Sequence, residues 1–389
     1  MKLLFVVNSV RYFVQHRLSL AKRASASGYE VSVAAEPDDP HSLELVRAAR
    51  IGFFPLPQSP MRLDPVGELR SFLALRRVLR KLQPALVHSM TIKSVVYSGI
   101  LSRALHTPML ALIPGRGTAF VSGGARGKVL KWTACTLYRL ALRHVGSFVC
   151  FENMEDKAFF EDLKIVDDRR SYRMMGSGVD VEKYFYTPYD TRRGAPRVVM
   201  LASRMLRNKG VLEFIASASL VRLKHPDAVF KLVGEPDPRN PESLSKEELE
   251  EQCMASGIEY LGFQRDMPRV LSQCHIFCLP SYYAEGVPVS VLEAAAMGKA
   301  VVTTDMPGCR DAVLDGQTGL LVRPRSACDL AEAIIKLIDS PELCAVFASK
   351  GRRRVEQLFR DDEVHRRYLE IYAQLVSHPD GGHRSAPRP

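Results

Sequence analysis

Short runs of consecutive apolar residues alternate along this chain with longer stretches in which apolar residues recur at helical spacing. The first run covers residues 2–7, ends at the polar pair Asn8-Ser9, and is followed by a helical pattern over 16–27 that stops at Gly28. Further runs follow at residues 31–35, 85–88 and 109–112. Strands that are buried on both faces have this continuous pattern, so the first half of the chain predicts a parallel sheet covered by helices.

The same alternation starts again near residue 198 and predicts a second sheet. Strands are predicted at 197–202, 229–233, 258–260, 276–279 and 300–304, and helices at 211–224 and 246–256. The fold class is therefore α/β, with two Rossmann-like, doubly wound parallel-sheet domains facing each other. Ligands of such sheets bind beyond the carboxyl ends of the strands, so we expect the loops after residues 7, 88, 202, 233 and 279 to line a cleft.

The limits of the predicted domains follow from where these patterns begin and end. Residues 1–187 form the N-terminal domain, and residues 188–360 form the C-terminal domain, which begins with a proline-flanked linker. A helix over 361–376 is expected to return to the N-terminal domain. Residues 377–389, rich in Pro, Gly, His and Ser, predict a disordered tail.

Basic residues are concentrated in the first half of the chain. The net charge is +11, and residues 62–143 alone contain 14 Lys and Arg against 2 Asp and Glu. Such an excess attracts the phosphates of a nucleic acid or of an anionic lipid surface. No apolar run approaches the roughly 18–20 residues of a membrane span, and the N-terminus lacks the pattern of a signal peptide, so we expect a cytoplasmic protein.

Two helical segments within the basic region place apolar residues opposite basic ones. Residues 69–82 and 128–143 both have this composition, which is suited to lying against anionic headgroups. The alternative for each is an ordinary helix whose apolar side faces the core and whose basic side faces water. The sequence favours neither interpretation.

The strongest chemical motif contains two carboxylates, Glu285 and Glu293, after an apolar strand. Pro288 is suited to the first position of a helix, so backbone N–H groups at this helix start would be available to an anion. Carboxylates accept hydrogen bonds from ribose and sugar hydroxyls. The alternative is one surface glutamate and one core-facing glutamate, but a lone glutamate beside Leu292 and a run of alanines needs a partner.

A basic loop over residues 203–210 follows the first strand of the second sheet. Arg204 offers a planar fork for a phosphate and Lys209 a point charge, and together they can stabilise the charge that develops on a leaving diphosphate. The alternative is a solvated turn. The sequence has no Asp-x-Asp triplet for a divalent ion, so these cations and the helix start near Pro288 would supply the charge without a metal.

A cysteine and histidine cluster gives no reason to expect a metal. Cys274, His275 and Cys278 lie in an apolar run whose alternation sends their side chains to opposite faces of a strand. We therefore expect neither a metal nor any other cofactor.

These segments resemble glycosyltransferase family 4. The resemblance rests on 203–210, on 285–293 and on the sequence Gly-Ser-Gly-Val-Asp at 176–180, and it covers nearly the whole chain. The segments 151–157 and 307–311 resemble the capsule-type and lipid-linked oligosaccharide branch of the family. The resemblance implies a GT-B fold, retention of anomeric configuration, a UDP-sugar donor, often an N-acetylhexosamine, and a saccharide acceptor on undecaprenyl diphosphate.

The resemblance also implies roles for individual residues. Arg204 and Lys209 would hold the donor diphosphate, and Glu293 the ribose hydroxyls. Glu285 would hold the donor sugar hydroxyls, and these three groups, Glu285, Arg204 and Lys209, would act in catalysis. Backbone near Phe263 would face the base. The segment Gly286, Val287 and Pro288 completes the donor site.

The acceptor would face polar residues of the N-terminal domain. The candidates are His16 and Arg17 at a helix start, His88 at a strand end, Lys93 at the next helix start, and Arg116 in a Gly-Arg-Gly sequence. A diphospho-lipid is anionic, so His16, Arg17, Lys93 and Arg116 would be suitable ligands for it. For His88, a hydrogen-bonded histidine at a strand end is an equal alternative.

Two other functions compete with sugar transfer. A sugar-nucleotide epimerase or hydrolase with the same two domains would bind the same donor but would need no acceptor surface. The basic N-terminal half of the chain argues against this function. A nucleic-acid-binding protein would use residues 62–143, yet the sequence has no zinc module, RNA-binding aromatic signature or helix-turn-helix. We therefore expect a UDP-sugar, a lipid-linked saccharide and an anionic membrane surface as partners, and no nucleic acid.

Overall fold

The structure, a computed structural model, divides into two compact units. It describes residues 1–57, 65–116, 120, 124–192, 196–283 and 285–377. Unit 1 contains Met1–Ser177 and the chain from Val364 onward, and unit 2 contains Gly178–Glu363. The segment 178–187, assigned above to the N-terminal domain, thus lies in unit 2. The predicted tail lies, from residue 378, outside the described residues.

Unit 1 is built on a seven-stranded parallel sheet. Its strands are β1 (Lys2–Val6), β2 (Glu30–Ala35), β3 (Gly52–Pro55), β4 (Leu86–Met90), β5 (Met109–Ile113), β6 (Ser147–Phe151) and β7 (Ser171–Arg173), in the order β3-β2-β1-β4-β5-β6-β7. Its helices are α1 (Val10–Ala26), α2 (Pro40–Ala48), α3 (Pro65–Leu82), α4 (Ile92–Leu105), α5 (Gly124–Leu142) and α6 (Met154–Asp162).

Both faces of this sheet are buried, as the continuous apolar runs predict. In β1, Leu3 and Phe5 belong to one core cluster, while Leu4 and Val6 belong to the cluster on the other face. Helix α1 begins earlier than predicted because the Ser9 side chain caps it by accepting the Tyr12 backbone N–H at 3.2 Å.

Unit 2 repeats this architecture with a six-stranded parallel sheet. Its strands are β8 (Val198–Ala202), β9 (Val229–Val233), β10 (Glu259–Gly262), β11 (Ile276–Leu279), β12 (Ala300–Thr304) and β13 (Leu320–Val322), in the order β10-β9-β8-β11-β12-β13. Its helices are α7 (Val211–Arg222), α8 (Lys246–Ala255), α9 (Met267–Ser272), α10 (Val289–Ala296), α11 (Pro307–Ala312), α12 (Ala327–Asp339) and α13 (Pro341–Leu358). Both units confirm the predicted α/β fold class.

The last helix, α14 (Asp361–Ser377), brings the chain back to unit 1. Its apolar face, which includes Tyr368 and Tyr372, lies in the same core cluster as Phe5 and Phe13. The core of unit 1 is therefore assembled from both ends of the chain. Across the described residues, no helix is both long enough and apolar enough to span a bilayer.

Candidate donor site

Two loops pack together at the carboxyl edge of the unit 2 sheet, where the strand order reverses between β8 and β11. Gly210, at the end of the loop after β8, has a φ of +76°, a conformation that favours glycine. A Cβ added there would lie 2.2 Å from the carbonyl oxygen of Pro280. The Asn208 carbonyl accepts the backbone N–H of Tyr282 at 3.0 Å. The predicted basic loop and the segment leading to Glu285 thus belong to one site.

Lys209 and Glu285 form an ion pair in this site. The other carboxylate oxygen of Glu285 accepts a hydrogen bond from Ser281 Oγ at 2.7 Å. Lys209 Nζ lies 5.6 Å from the centre of the Tyr283 ring. The ammonium group is therefore held between a carboxylate and an aromatic face, in a largely buried position from which it can orient a phosphate as a point charge.

Arg204 begins the same loop, and 52% of its side chain is exposed. Its Nη1 atom lies 3.2 Å from Asp237 Oδ2. Burial raises the pKa of the Tyr283 hydroxyl, and the nearby Arg204 charge opposes this rise. A guanidinium that is anchored by a carboxylate and half exposed can bind a phosphate through two parallel hydrogen bonds.

Glu293 lies within α10, where burial raises the pKa of its carboxyl to about 7. A hydrogen bond from Tyr184 and the charge of Lys183 act in the opposite direction. Tyr184 is therefore the partner that a glutamate in so apolar a helix requires. Both residues belong to unit 2.

The start of α10 differs in one detail from the prediction. Pro288 is the N-cap residue, with φ −69° and ψ 116°, and Val289 is the first helical residue. The proline ring fixes φ at a helical value but leaves ψ extended, so the helix starts one residue later. Gly286 and Val287 precede it in buried positions.

Phe263 follows the edge strand β10, and its side chain is about half exposed. The neighbouring Gly262 carbonyl accepts the Gly234 backbone N–H, after β9, at 2.8 Å. Phe263 therefore lies at the same edge of the sheet as the loops after β8 and β11.

Two of the acceptor candidates in unit 1 are buried. Arg17 lies within α1 rather than at a helix start, 3.4 Å from Glu152, and donates a hydrogen bond to Ser177 Oγ at 2.8 Å. His88 lies inside β4 rather than at its end, and its Nδ1 is 2.6 Å from the Tyr372 hydroxyl. Burial and the Arg17 charge hold the pKa of His88 well below its usual range. This geometry matches the hydrogen-bonded alternative for His88, and the role of Arg17 toward an acceptor stays a prediction.

The other three candidates are more accessible. His16 also lies within α1, half-buried, with its ring centre 4.6 Å from that of Tyr12. Lys93 pairs with Glu68 at 2.5 Å. Arg116 pairs with Asp156 at 2.5 Å and lies over the Phe159 ring. Their roles toward an acceptor also stay predictions.

Comparison with known proteins identifies the family. The chain matches the family model "Glycosyl transferase 4-like" over residues 2–151 and the model "Glycosyl transferases group 1" over residues 196–340. The chain belongs to glycosyltransferase family 4. This glycosyltransferase is 29% identical over 325 residues to the N,N'-diacetylbacillosaminyl-diphospho-undecaprenol alpha-1,3-N-acetylgalactosaminyltransferase of Campylobacter jejuni. The aligned residues cover 81% of this chain and 83% of that protein.

Other relatives agree with this assignment. The glycosyltransferase is 22% identical over 320 residues to the UDP-Gal:alpha-D-GlcNAc-diphosphoundecaprenol alpha-1,3-galactosyltransferase of Escherichia coli, with 79% of this chain and 80% of that protein covered. The crystal structure of Anabaena Alr3699/HepE with UDP and glucose superposes with a TM-score of 0.78 at 20% identity, covering 96% of this chain and 100% of the other. The fold is therefore GT-B.

Three site residues of this glycosyltransferase were not predicted from the sequence. Ser281 and Tyr283 contact the Lys209–Glu285 pair, and Tyr184 contacts Glu293. Ser281 and Tyr283 follow an apolar strand directly, a position that could have indicated them. Tyr184 lies far from Glu293 in the sequence, and no local pattern indicates it. Within the described part of the chain, no three His, Cys, Asp or Glu side chains are grouped as metal ligands.

Proposed function

We propose that this glycosyltransferase moves a hexose, preferably an N-acetylhexosamine, from a UDP-sugar to a saccharide linked to undecaprenyl diphosphate, with retention of anomeric configuration and without a metal. The observation that carries the proposal is the site at the carboxyl edge of unit 2, where Arg204 and the Lys209–Glu285 pair lie together. Two relatives, matched over 81% and 79% of this chain, are named for undecaprenol-linked substrates.

Each site residue has a role in this reaction. Arg204 and Lys209 bind the diphosphate and stabilise its charge as the bond from the sugar to phosphate breaks. Glu285 binds the hydroxyls of the donor sugar, Glu293 those of the ribose, and backbone near Phe263 faces the base. An acceptor hydroxyl forms the new glycosidic bond, and its proton is released with UDP.

The acceptor site and the membrane location are part of the same proposal. His16, Arg17, Lys93 and Arg116 form the acceptor set, whereas His88 is a buried core residue hydrogen-bonded to Tyr372. Because the acceptor carries a long lipid, the enzyme works as a cytoplasmic, peripheral protein at the inner face of the cell membrane. The charge of the first half of the chain fits an anionic surface of this kind.

A direct assay tests the proposal. The purified enzyme is incubated with UDP-N-acetylgalactosamine, UDP-N-acetylglucosamine, UDP-galactose or UDP-glucose, each with and without a polyprenyl-diphosphate-linked saccharide. We expect a lengthened lipid-linked product with one of the N-acetylhexosamine donors and release of UDP only when the acceptor is present. Conversion of the donor without any acceptor would instead indicate an epimerase or a hydrolase.

Transfer is expected to continue in an excess of EDTA, because side-chain cations take the place of a metal at the diphosphate. Initial rates measured with EDTA and with added Mg²⁺ or Mn²⁺ should agree within about twofold. Loss of activity in EDTA that is restored by either metal would contradict the expected absence of a metal.

A further inference from the structure

Helix α5 presents an apolar face to solvent. Its exposed apolar side chains are Val129, Leu130, Trp132, Leu137 and Leu140. The opposite side of the helix is buried in the core through Cys135, Tyr138, Ala141 and Leu142. Isolated apolar side chains are normal on a protein surface, but a group of this size on one helix marks an interaction site.

The charged side chains of this helix are all positive. Residues 124–143 contain no Asp or Glu, and Lys128 and Arg143 are exposed at the two ends of the face. Lys131 and Arg139 are turned partly inward, Lys131 toward the Phe159 ring and Arg139 toward the Leu163 carbonyl. Leucine, valine and tryptophan bordered by cations complement the boundary between anionic headgroups and acyl chains. The aliphatic side chains would make no favourable contact with the phosphate backbone of a nucleic acid.

Helix α3 is different, although it is also basic. Its residues Leu75, Leu79 and Leu82 are buried, whereas Arg76, Arg77, Arg80 and Lys81 are exposed. Over most of its length this is a core-facing helix with a solvated basic side. It can attract an anionic surface but has few apolar groups to insert there.

We propose that the α5 face is the surface by which the enzyme docks on an anionic lipid bilayer, with its apolar side chains among the headgroups. The choice of a membrane as the partner rests on the proposed function, which has a lipid-linked acceptor. Its test requires no sugar donor and no acceptor, so it can fail while the proposed reaction stands.

Trp132 is the single tryptophan of the chain, and 69% of it is exposed. It therefore reports on this face without any label. With vesicles of phosphatidylglycerol and phosphatidylethanolamine, we expect its emission to shift to shorter wavelength and to be quenched by brominated acyl chains. Vesicles of phosphatidylcholine should give a much smaller change, because this lipid has no net charge to attract the basic side chains.

Matched variants locate the docking surface. Leu137→Asp with Leu140→Asp should lower the vesicle partition coefficient at least about tenfold, since the added charges oppose both insertion and anionic headgroups. The control, Val66→Asp with Leu69→Asp, changes two exposed apolar residues of α3 and should leave most of the binding. Equal loss in both variants, or an unshifted Trp132 emission on bound vesicles, would overturn the proposal. A blue shift caused by RNA, or by concentration-dependent dimers in the absence of lipid, would also overturn it.

Discussion

Replacing Arg204 by alanine or Glu293 by glutamine is expected to lower sugar transfer at least about a hundredfold. Removal of a single preorganised electrostatic contact typically has an effect of this size. The Arg204 guanidinium is half exposed beside the Lys209–Glu285 pair, so its loss leaves the departing diphosphate with one side-chain cation fewer. Initial rates at saturating acceptor, together with UDP affinity, measure the effect.

Two controls show whether such losses are specific to the site. Arg192 is a highly exposed arginine that pairs with Asp190, and Glu356 pairs with Arg352 on α13. Arg192→Ala and Glu356→Gln should both stay within about twofold of the parent. Near-normal turnover in Arg204→Ala or Glu293→Gln would remove that residue from the donor site.

Arg17→Ala is expected to destabilise unit 1 by about 3–5 kcal/mol, because it breaks the buried ion pair between Arg17 and Glu152. Urea unfolding followed by far-ultraviolet circular dichroism measures the change in the free energy of unfolding. An unfolding midpoint close to that of the parent would show that the buried pair contributes little to stability.

A double variant separates stability from acceptor binding. Replacing both charges, Arg17→Met with Glu152→Leu, exchanges the buried ion pair for apolar side chains and should recover most of the stability. If this variant is stable and still transfers sugar, Arg17 does not belong to the acceptor set. If it is stable and binds UDP but transfers no sugar, the predicted role of Arg17 is supported.

The fold was largely predictable because parallel strands with two buried faces leave a continuous apolar signature. β1, β8 and β11 are each marked by such a run. Short edge strands such as β3 and β7 lack it, and neither was predicted. The start of α1 was not predicted, because Ser9 belongs to the polar pair that ends the first apolar run. Its hydroxyl also caps the helix that follows directly.

The donor-site candidates that lie on adjacent loops were easier to find than their partners. The position of Lys209 and Glu285 after strands β8 and β11 indicated one site, because parallel strands bring their carboxyl ends to one edge. Tyr184 could not be found in this way, since its contact with Glu293 depends on tertiary packing around α10. The burial of Arg17 and His88 could not be predicted either. The sequence shows that both residues are polar, but only the packed structure shows that both lie in the core.

The return of α14 to unit 1 affects the order in which the protein can fold during synthesis. Unit 1 needs Tyr368, Tyr372 and Leu375 to complete its core, so the first 177 residues leave the ribosome without the helix that covers them. Unit 2 is a continuous stretch that ends at Glu363 and has all its strands before that point. The second unit to be translated is therefore the first whose core can close, and the nascent first unit exposes apolar surface to chaperones until α14 has been synthesised.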